Sequence, residues 1–85
     1  MAKRVAFFAR AAPLWHALAM QLTVNGEPHD LPASASVAEL LATLGLAAAR
    51  VAVEVNEDVV PRGTYDARQL AAGDLVEIVH FVGGG

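Results

Sequence analysis

The sequence contains no cysteine. This absence excludes a disulfide framework, a thiolate metal site, a haem attachment motif and a cysteine nucleophile. Long hydrophobic runs are missing too, because the longest apolar stretches fall well short of the roughly 18 residues that a membrane-spanning helix needs. We therefore expect a soluble, cytoplasmic protein with no membrane partner, in which any sulfur chemistry uses an atom other than a cysteine sulfur.

Acidic residues are absent from the first 19 positions. Residues 1–19 hold three basic residues, a charge of +3, whereas residues 20–85 hold three arginines and nine acids, a charge of −6, and the two sum to −3. An acidic body repels nucleic-acid phosphates and favours a basic protein surface. We therefore expect protein partners and no nucleic acid.

Residues 1–19 start basic, become apolar and end in small residues, as a signal peptide does, but Arg10 and Pro13 interrupt the apolar part. Met20 is itself a candidate start residue. Three interpretations stay open: a leader or upstream-start artefact, a genuine extension, or a targeting sequence. In each case we expect residues 1–19 to lie outside the sheet, to carry no chemistry, and to be removable without loss of stability or function.

The remaining residues are long enough for one small domain, since the whole chain has 85 residues and 55% of them are hydrophobic. Alternation from Met20 to Val24 predicts a strand, and Asn25-Gly26 predicts a tight hairpin turn. The return strand, residues 27–31, contains Pro28 and is therefore expected at a sheet edge.

A capping box formed by Ser36 and Glu39 predicts the start of a helix that stops near Gly45. Its apolar face repeats at helical spacing through Val37, Leu40, Leu41 and Leu44. Strands are predicted at residues 51–56 and 75–82, the latter central, with a short edge strand at 59–61. This order predicts an α+β fold, the β-grasp or ubiquitin-like roll, over residues 20–82: a mixed four- to five-stranded sheet with one main helix on one face.

Residue types that carry catalysis are not grouped in this sequence. The histidines at 16, 29 and 80 are not at metal-ligand spacing, and Ser34 and Ser36 are better explained as residues at the start of the helix. The remaining candidate is the flexible glycine tail, residues 83–85, which follows the most apolar strand. Because Gly83 and Gly84 have no side chains, a partner enzyme can thread the tail and reach the Gly85 carboxylate.

Six short segments within residues 20–85 resemble the sulfur carrier protein of thiamin biosynthesis, the ThiS family. They are residues 25–27 (NGE), 37–41 (VAELL), 51–56 (VAVEVN), 59–62 (VVPR), 73–79 (GDLVEIV) and 81–85 (FVGGG). Members of that family usually begin at the equivalent of Met20, which favours the artefact interpretation of residues 1–19.

The resemblance implies that the chain is a carrier and not an enzyme. An E1-like adenylyltransferase would use ATP and magnesium to join AMP to the carboxylate of Gly85, so this chain itself would bind no cofactor or metal. A sulfur donor, such as a persulfide made by a cysteine desulfurase, would convert the adenylate to a thiocarboxylate. Thiazole synthase would then consume that sulfur.

Two alternatives remain. The small subunit of molybdopterin synthase has the same carrier chemistry, although its tail usually carries prolines just before the glycines. A β-grasp interaction module that is never activated belongs to a different functional class.

Alternation along the last strand also predicts a partner-binding face. If Val76, Ile78 and Val82 face the helix, the other residues of the strand lie on the open side of the sheet. That side is predicted to carry Leu75, Glu77, Val79, Phe81 and Glu54, and we expect both the adenylyltransferase and thiazole synthase to bind there. Incidental exposure, with residues 1–19 as a cover, is the alternative.

Overall fold

The computed structural model describes residues 2–5 and 19–81 of the chain. The predicted first hairpin is present as strands β2 (Ala19–Val24) and β3 (Glu27–Pro32). Asn25 and Gly26 both have positive φ, 49° and 84°, as a type I′ turn requires. The twist of this turn matches that of the flanking strands, so the Asn-Gly pair sets the register of the hairpin.

The helix α1 spans Val37–Thr43 and begins with the predicted capping box. The Ser36 hydroxyl accepts from the Glu39 N–H at 3.1 Å, and the Ser36 N–H donates to the Glu39 carboxylate at 3.2 Å. Gly45 follows with a φ of +72°, which ends the helix where the sequence predicts.

Strands β4 (Val51–Val55) and β5 (Asp58–Val60) form the second hairpin. Two 3₁₀ turns, at Ala48–Arg50 and Arg62–Thr64, flank this hairpin along the chain, and the last strand is β6 (Leu75–Phe81). The sequence prediction extended the last strand to Val82, which lies outside the described residues.

Within the described residues the sheet has the order β3-β2-β6-β4-β5, with β1 (Ala2–Arg4) pairing to β6 off this path. β6 is central as predicted: it is parallel to β2 and antiparallel to β4. β3 and β5 are the two ends of this path, so Pro28 lies on an edge strand as expected. A mixed sheet with one main helix on one face is the predicted β-grasp architecture.

The core lies between helix α1 and one face of the sheet. Alternate residues of β2, β4 and β6 are buried there against the apolar face of the helix. The largest fully buried side chains among the described residues are Leu22, Val24, Val37, Leu40, Leu41, Val51, Val53, Val55, Val76 and Ile78. Every one of these side chains, among the residues that the structure describes, belongs to residues 20–81.

Strand β1 was not expected from the sequence. Ala2, Lys3 and Arg4 pair antiparallel with Phe81, His80 and Val79, which makes a sixth strand out of a segment expected to lie outside the sheet. The physical reason is that β2 ends at Val24, opposite Val76, so the next part of β6 has a free edge on that side. The prediction of four to five strands therefore omitted β1.

Candidate functional site

The candidate site is built around the C-terminal end of β6. Phe81 is the last described residue, and the predicted tail residues Gly83, Gly84 and Gly85 lie outside the described part of the chain. Four residues follow Phe81 in the sequence, and four residues can span at most about 14 Å. The residues that follow Phe81 therefore reach no farther than this from the end of β6.

Two asparagine side chains from the hairpin turns hold β6 in place. The Asn25 carboxamide accepts from the Ile78 N–H at 2.7 Å, donates to the Ile78 carbonyl at 3.0 Å and also donates to the Val5 carbonyl. On the other side of β6, Asn56 accepts from the Leu75 N–H at 2.9 Å. The strand that carries the tail is thus anchored from both neighbouring hairpins.

The face of the sheet opposite the helix carries the predicted partner-binding residues, and we call it the open face. Leu75 is 57% exposed and Phe81 43% exposed, Glu77 is exposed, and Val79 is half-buried. Val76 and Ile78, which alternate with them, are only 1% and 0% exposed. The predicted orientation of β6 is therefore confirmed for Val76 and Ile78, whereas Val82 lies outside the described residues. Binding of partners to the open face stays a prediction.

Val59 is an open-face residue that the sequence prediction did not include. It lies on β5 directly opposite Glu54 and is 70% exposed. The available signal was the two-residue turn at positions 56 and 57, which pairs residue 54 with residue 59. The apolar part of the open face therefore extends across the sheet to its β5 edge.

Two acidic side chains meet in the middle of the open face. Glu54 and Glu77 are directly opposite each other on β4 and β6. Arg4 of β1 forms an ion pair with Glu77 at 2.9 Å, whereas Glu54 has no ion pair with any described residue. Like charges opposite each other on adjacent strands repel, so this part of the face favours a basic group.

The rest of the described chain offers no other reactive cluster. Within residues 2–5 and 19–81, no three histidine, aspartate or glutamate side chains lie close enough to hold a metal ion. Of the histidines, His29 and His80 lie on different strands, and His16 is outside the described residues. Ser36 is occupied in the helix cap, as the sequence predicts.

Helices in the described residues are short. None of them has the length and apolar character needed to cross a bilayer.

A family model, the ThiS family, matches residues 22–85. The Sulfur carrier protein ThiS of Bacillus subtilis (strain 168) is 40% identical over 50 residues, which cover 59% of this chain and 76% of that protein. A crystal structure of the thiamine biosynthesis protein ThiS from Geobacter metallireducens superposes with a TM-score of 0.67 at 45% identity. That match covers 78% of this chain and all of the other.

Two relatives that are much longer than this chain each match it over 66 residues. Thiazole synthase of Magnetococcus marinus is 50% identical over 66 residues, and thiazole synthase of Paramagnetospirillum magneticum is 44% identical over 66 residues. The match covers 78% of this chain but only 20% of either protein. The chain thus matches about one fifth of the length of these curated relatives.

Proposed function

The chain belongs to the ThiS family, and from this premise we propose that it is a sulfur carrier of thiamin biosynthesis whose Gly85 holds the sulfur as a thiocarboxylate. The single observation that carries the proposal is the family match over residues 22–85, which includes the glycine tail. The β-grasp fold supports it, because the fold delivers the tail directly from a rigid central strand.

The proposed chemistry takes place at the carboxylate of Gly85. A carboxylate oxygen attacks the α-phosphorus of ATP, pyrophosphate leaves, and the resulting acyl adenylate has AMP as a good leaving group. The terminal sulfur of a persulfide then displaces AMP. A thiol reductant cleaves the sulfur–sulfur bond, which leaves the thiocarboxylate on Gly85.

This chain supplies a substrate and a docking surface, and its partners supply the catalysis. An E1-like adenylyltransferase binds the ATP and magnesium, and a cysteine desulfurase provides the persulfide. Gly83 and Gly84 let the tail lie in a narrow channel because no side chain blocks the backbone. The absence of cysteine supports this role, since an internal thiol could attack the activated carboxylate.

We further propose that thiazole synthase receives the sulfur. Support comes from the two longer relatives named thiazole synthase, in which a segment similar to this chain is part of one polypeptide. A cytoplasmic location belongs to the same proposal, because adenylation consumes ATP.

The open face is the proposed docking site for both the adenylyltransferase and thiazole synthase. It carries three exposed large apolar residues, Leu75, Val59 and Phe81, together with the acidic side chains of Glu54 and Glu77. Phe81 also lies within four residues of the reactive carboxylate. Shared use of one face makes the two complexes mutually exclusive, so a ternary complex in a competition experiment would contradict this docking scheme.

The reactive position is tested with variants of the tail. We expect that deleting Gly85, or adding one residue after it, abolishes adenylation and leaves the fold intact, because the carboxylate is then misplaced by one residue. The measurement is pyrophosphate exchange with the adenylyltransferase encoded in the same genome. Undiminished exchange by the deletion variant would overturn the assignment to Gly85.

The intact mass of the protein purified from its native host tests the carrier role directly. We expect a species in which one sulfur replaces one oxygen at the C-terminal residue. A chain that is adenylated in vitro but never carries sulfur in the host would contradict the carrier role, and a chain that is never adenylated would fit an interaction module.

The apolar part of the docking site is tested with Phe81→Ala. Removing an aromatic anchor at a protein interface weakens binding by about tenfold or more, and we expect this for both partners. Val59→Ala removes another exposed apolar side chain, at the β5 edge of the same face, so its effect shows how far the docking site extends from Phe81. Unchanged affinities for Phe81→Ala would exclude the end of β6 from the docking site.

The acidic part is tested with Glu54→Lys. We expect slower association with the adenylyltransferase at low salt, and a difference from the wild type that shrinks as salt rises. Asp66→Lys is the control, because it changes the net charge by the same amount at a different place. Asp66 follows Tyr65, whose carbonyl accepts a hydrogen bond from the N–H of Ala38 in helix α1. If both variants slow association equally, net charge and not the open face is responsible.

A further inference from the structure

The edge of β6 is occupied by two different strands along its length. β2 pairs with Leu75 and Val76, and β1 pairs with Val79, His80 and Phe81. Between them the Ile78 carbonyl accepts from the Val5 N–H at 3.5 Å and from Asn25. β1 therefore covers the part of the edge nearest to the C-terminus.

β1 is attached through contacts that open readily. Its three residues are all exposed, so pairing buries little apolar surface. The ion pair between Arg4 and Glu77 joins side chains that are 59% and 47% exposed, and exposed ion pairs contribute little to stability. Short, solvent-exposed edge elements of this kind open far more often than the core.

β1 also covers parts of the open face and of the β6 edge to which the proposed partners would bind. Arg4 neutralises Glu77 on the open face, and Ala2 lies opposite Phe81 at the last described residue before the tail. The family match starts at residue 22, so β1 is an addition to the part of the chain that resembles the family. A partner that encloses the tail and docks around Phe81 must compete with this strand.

We propose that β1 is an autoinhibitory strand: while it pairs with residues 79–81 it obstructs the end of β6, and adenylation of Gly85 requires its release. The proposal rests on the proposed carrier function. It differs from a passive cover because β1 contributes both a backbone pairing and a basic side chain that satisfies the acid of the docking face. The covered state is the one that the structure describes.

The expected size of the effect follows from the population of the open state. When a binding-competent state makes up about 10% of the molecules or less, the apparent dissociation constant rises by about tenfold or more. Release of β1 should therefore lower the concentration of this chain needed for half-maximal adenylation by about tenfold.

The test uses Lys3→Pro in the full chain, with Lys3→Gln as the matched control. The Val5 N–H points toward β6, so the N–H of Lys3, two residues earlier, points the same way. Proline removes this donor, whereas glutamine keeps it, and both substitutions remove the same charge. Neither residue change touches the core.

Two measurements are made on each chain. The first is hydrogen exchange of the His80 amide, which the alternation of the strand directs toward β1; we expect faster exchange in Lys3→Pro, with the β4 amides still protected. The second is the concentration dependence of pyrophosphate exchange with the adenylyltransferase. We expect the curve of Lys3→Pro to shift about tenfold to lower concentration, and that of Lys3→Gln to stay with the wild type.

Results that differ from these expectations would contradict either the pairing of β1 with β6 or its effect on the partner. Unchanged His80 exchange in Lys3→Pro would show that β1 does not protect this edge, and faster exchange with an unshifted or weakened adenylation curve would show that β1 does not obstruct the partner. Either result overturns autoinhibition and leaves the carrier function standing. If no chain, wild type included, is adenylated, the carrier function fails and the autoinhibition fails with it.

Discussion

Asn25 connects three segments of the chain through one carboxamide. Its backbone has the positive φ that the hairpin turn requires, and its side chain bonds to both backbone groups of Ile78 and to the carbonyl of Val5. Ile78 is fully buried, so water does not take the place of these hydrogen bonds, and losing them lowers the stability of the fold. One residue therefore sets a turn and fixes the neighbouring part of β6.

Replacing this side chain should destabilise the fold. For Asn25→Gly, whose backbone tolerates the turn, we expect the free energy of unfolding to fall by about 2 kcal/mol, because the buried Ile78 N–H loses its acceptor. Asn25→Asp keeps that acceptor but directs a carboxylate oxygen at the carbonyls of Ile78 and Val5, so it should be destabilised as well. Urea denaturation of both variants gives the comparison, and a wild-type midpoint for Asn25→Gly would show that the carboxamide contributes nothing.

At the scale of elements, helix α1 and the open face lie on opposite sides of the sheet. Val37, Leu40 and Leu41 of the helix are buried against the inner face, whereas Leu75 and Phe81 are exposed on the outer one. A change at the start of the helix should therefore affect stability and leave docking unaltered. The helix cap is a suitable position to separate stability from docking, because a single substitution removes the Ser36 hydroxyl.

We expect Ser36→Ala to lower the free energy of unfolding by about 1 kcal/mol, since the Glu39 N–H loses its acceptor. Ser36→Thr retains a hydroxyl and serves as the control. Thermal melts measure the stability, and pyrophosphate exchange at a temperature where both variants are folded measures adenylation. Impaired adenylation by folded Ser36→Ala would place a partner contact on the helix side.

At the scale of the whole molecule, the core and the added strand are separate contributions. Within residues 2–5 and 19–81, the large, fully buried side chains all lie between residues 22 and 78. β1 adds an edge pairing and an exposed ion pair but no fully buried side chain. The structure therefore revises the expectation for residues 2–4, which pair with β6 and do not lie outside the sheet.

For a chain that begins at Ala19, we expect a cooperative unfolding transition. We expect its free energy of unfolding to be lower than that of the full chain by no more than about 2 kcal/mol, because an exposed ion pair contributes at most about 1 kcal/mol. The solved structure from Geobacter metallireducens is covered completely by a match to 78% of this chain. This match supports folding of the truncated chain without the residues before Ala19. Urea denaturation is the measurement. A truncated chain without a cooperative transition would show that β1 or its neighbours belong to the core.

Local patterns along the chain determined most of the elements. The Asn-Gly turn, the capping box from Ser36 to Glu39, and alternation in β4 and β6 each operate over a few residues, so sequence spacing alone predicted them. The same alternation predicted that Leu75 and Phe81 face away from the core. The glycine tail was visible for the same reason, although its residues lie outside the described part of the chain.

Tertiary structure decided which distant segments meet. The pairing of Arg4 with Glu77 joins residues 73 positions apart, and the bond of Asn25 to Ile78 joins residues 53 positions apart. Such contacts depend on where β2 ends relative to β6, which local propensity does not encode. The three residues of β1, Ala2, Lys3 and Arg4, carry no strand pattern of their own, so only the free edge of β6 explains why they form a strand.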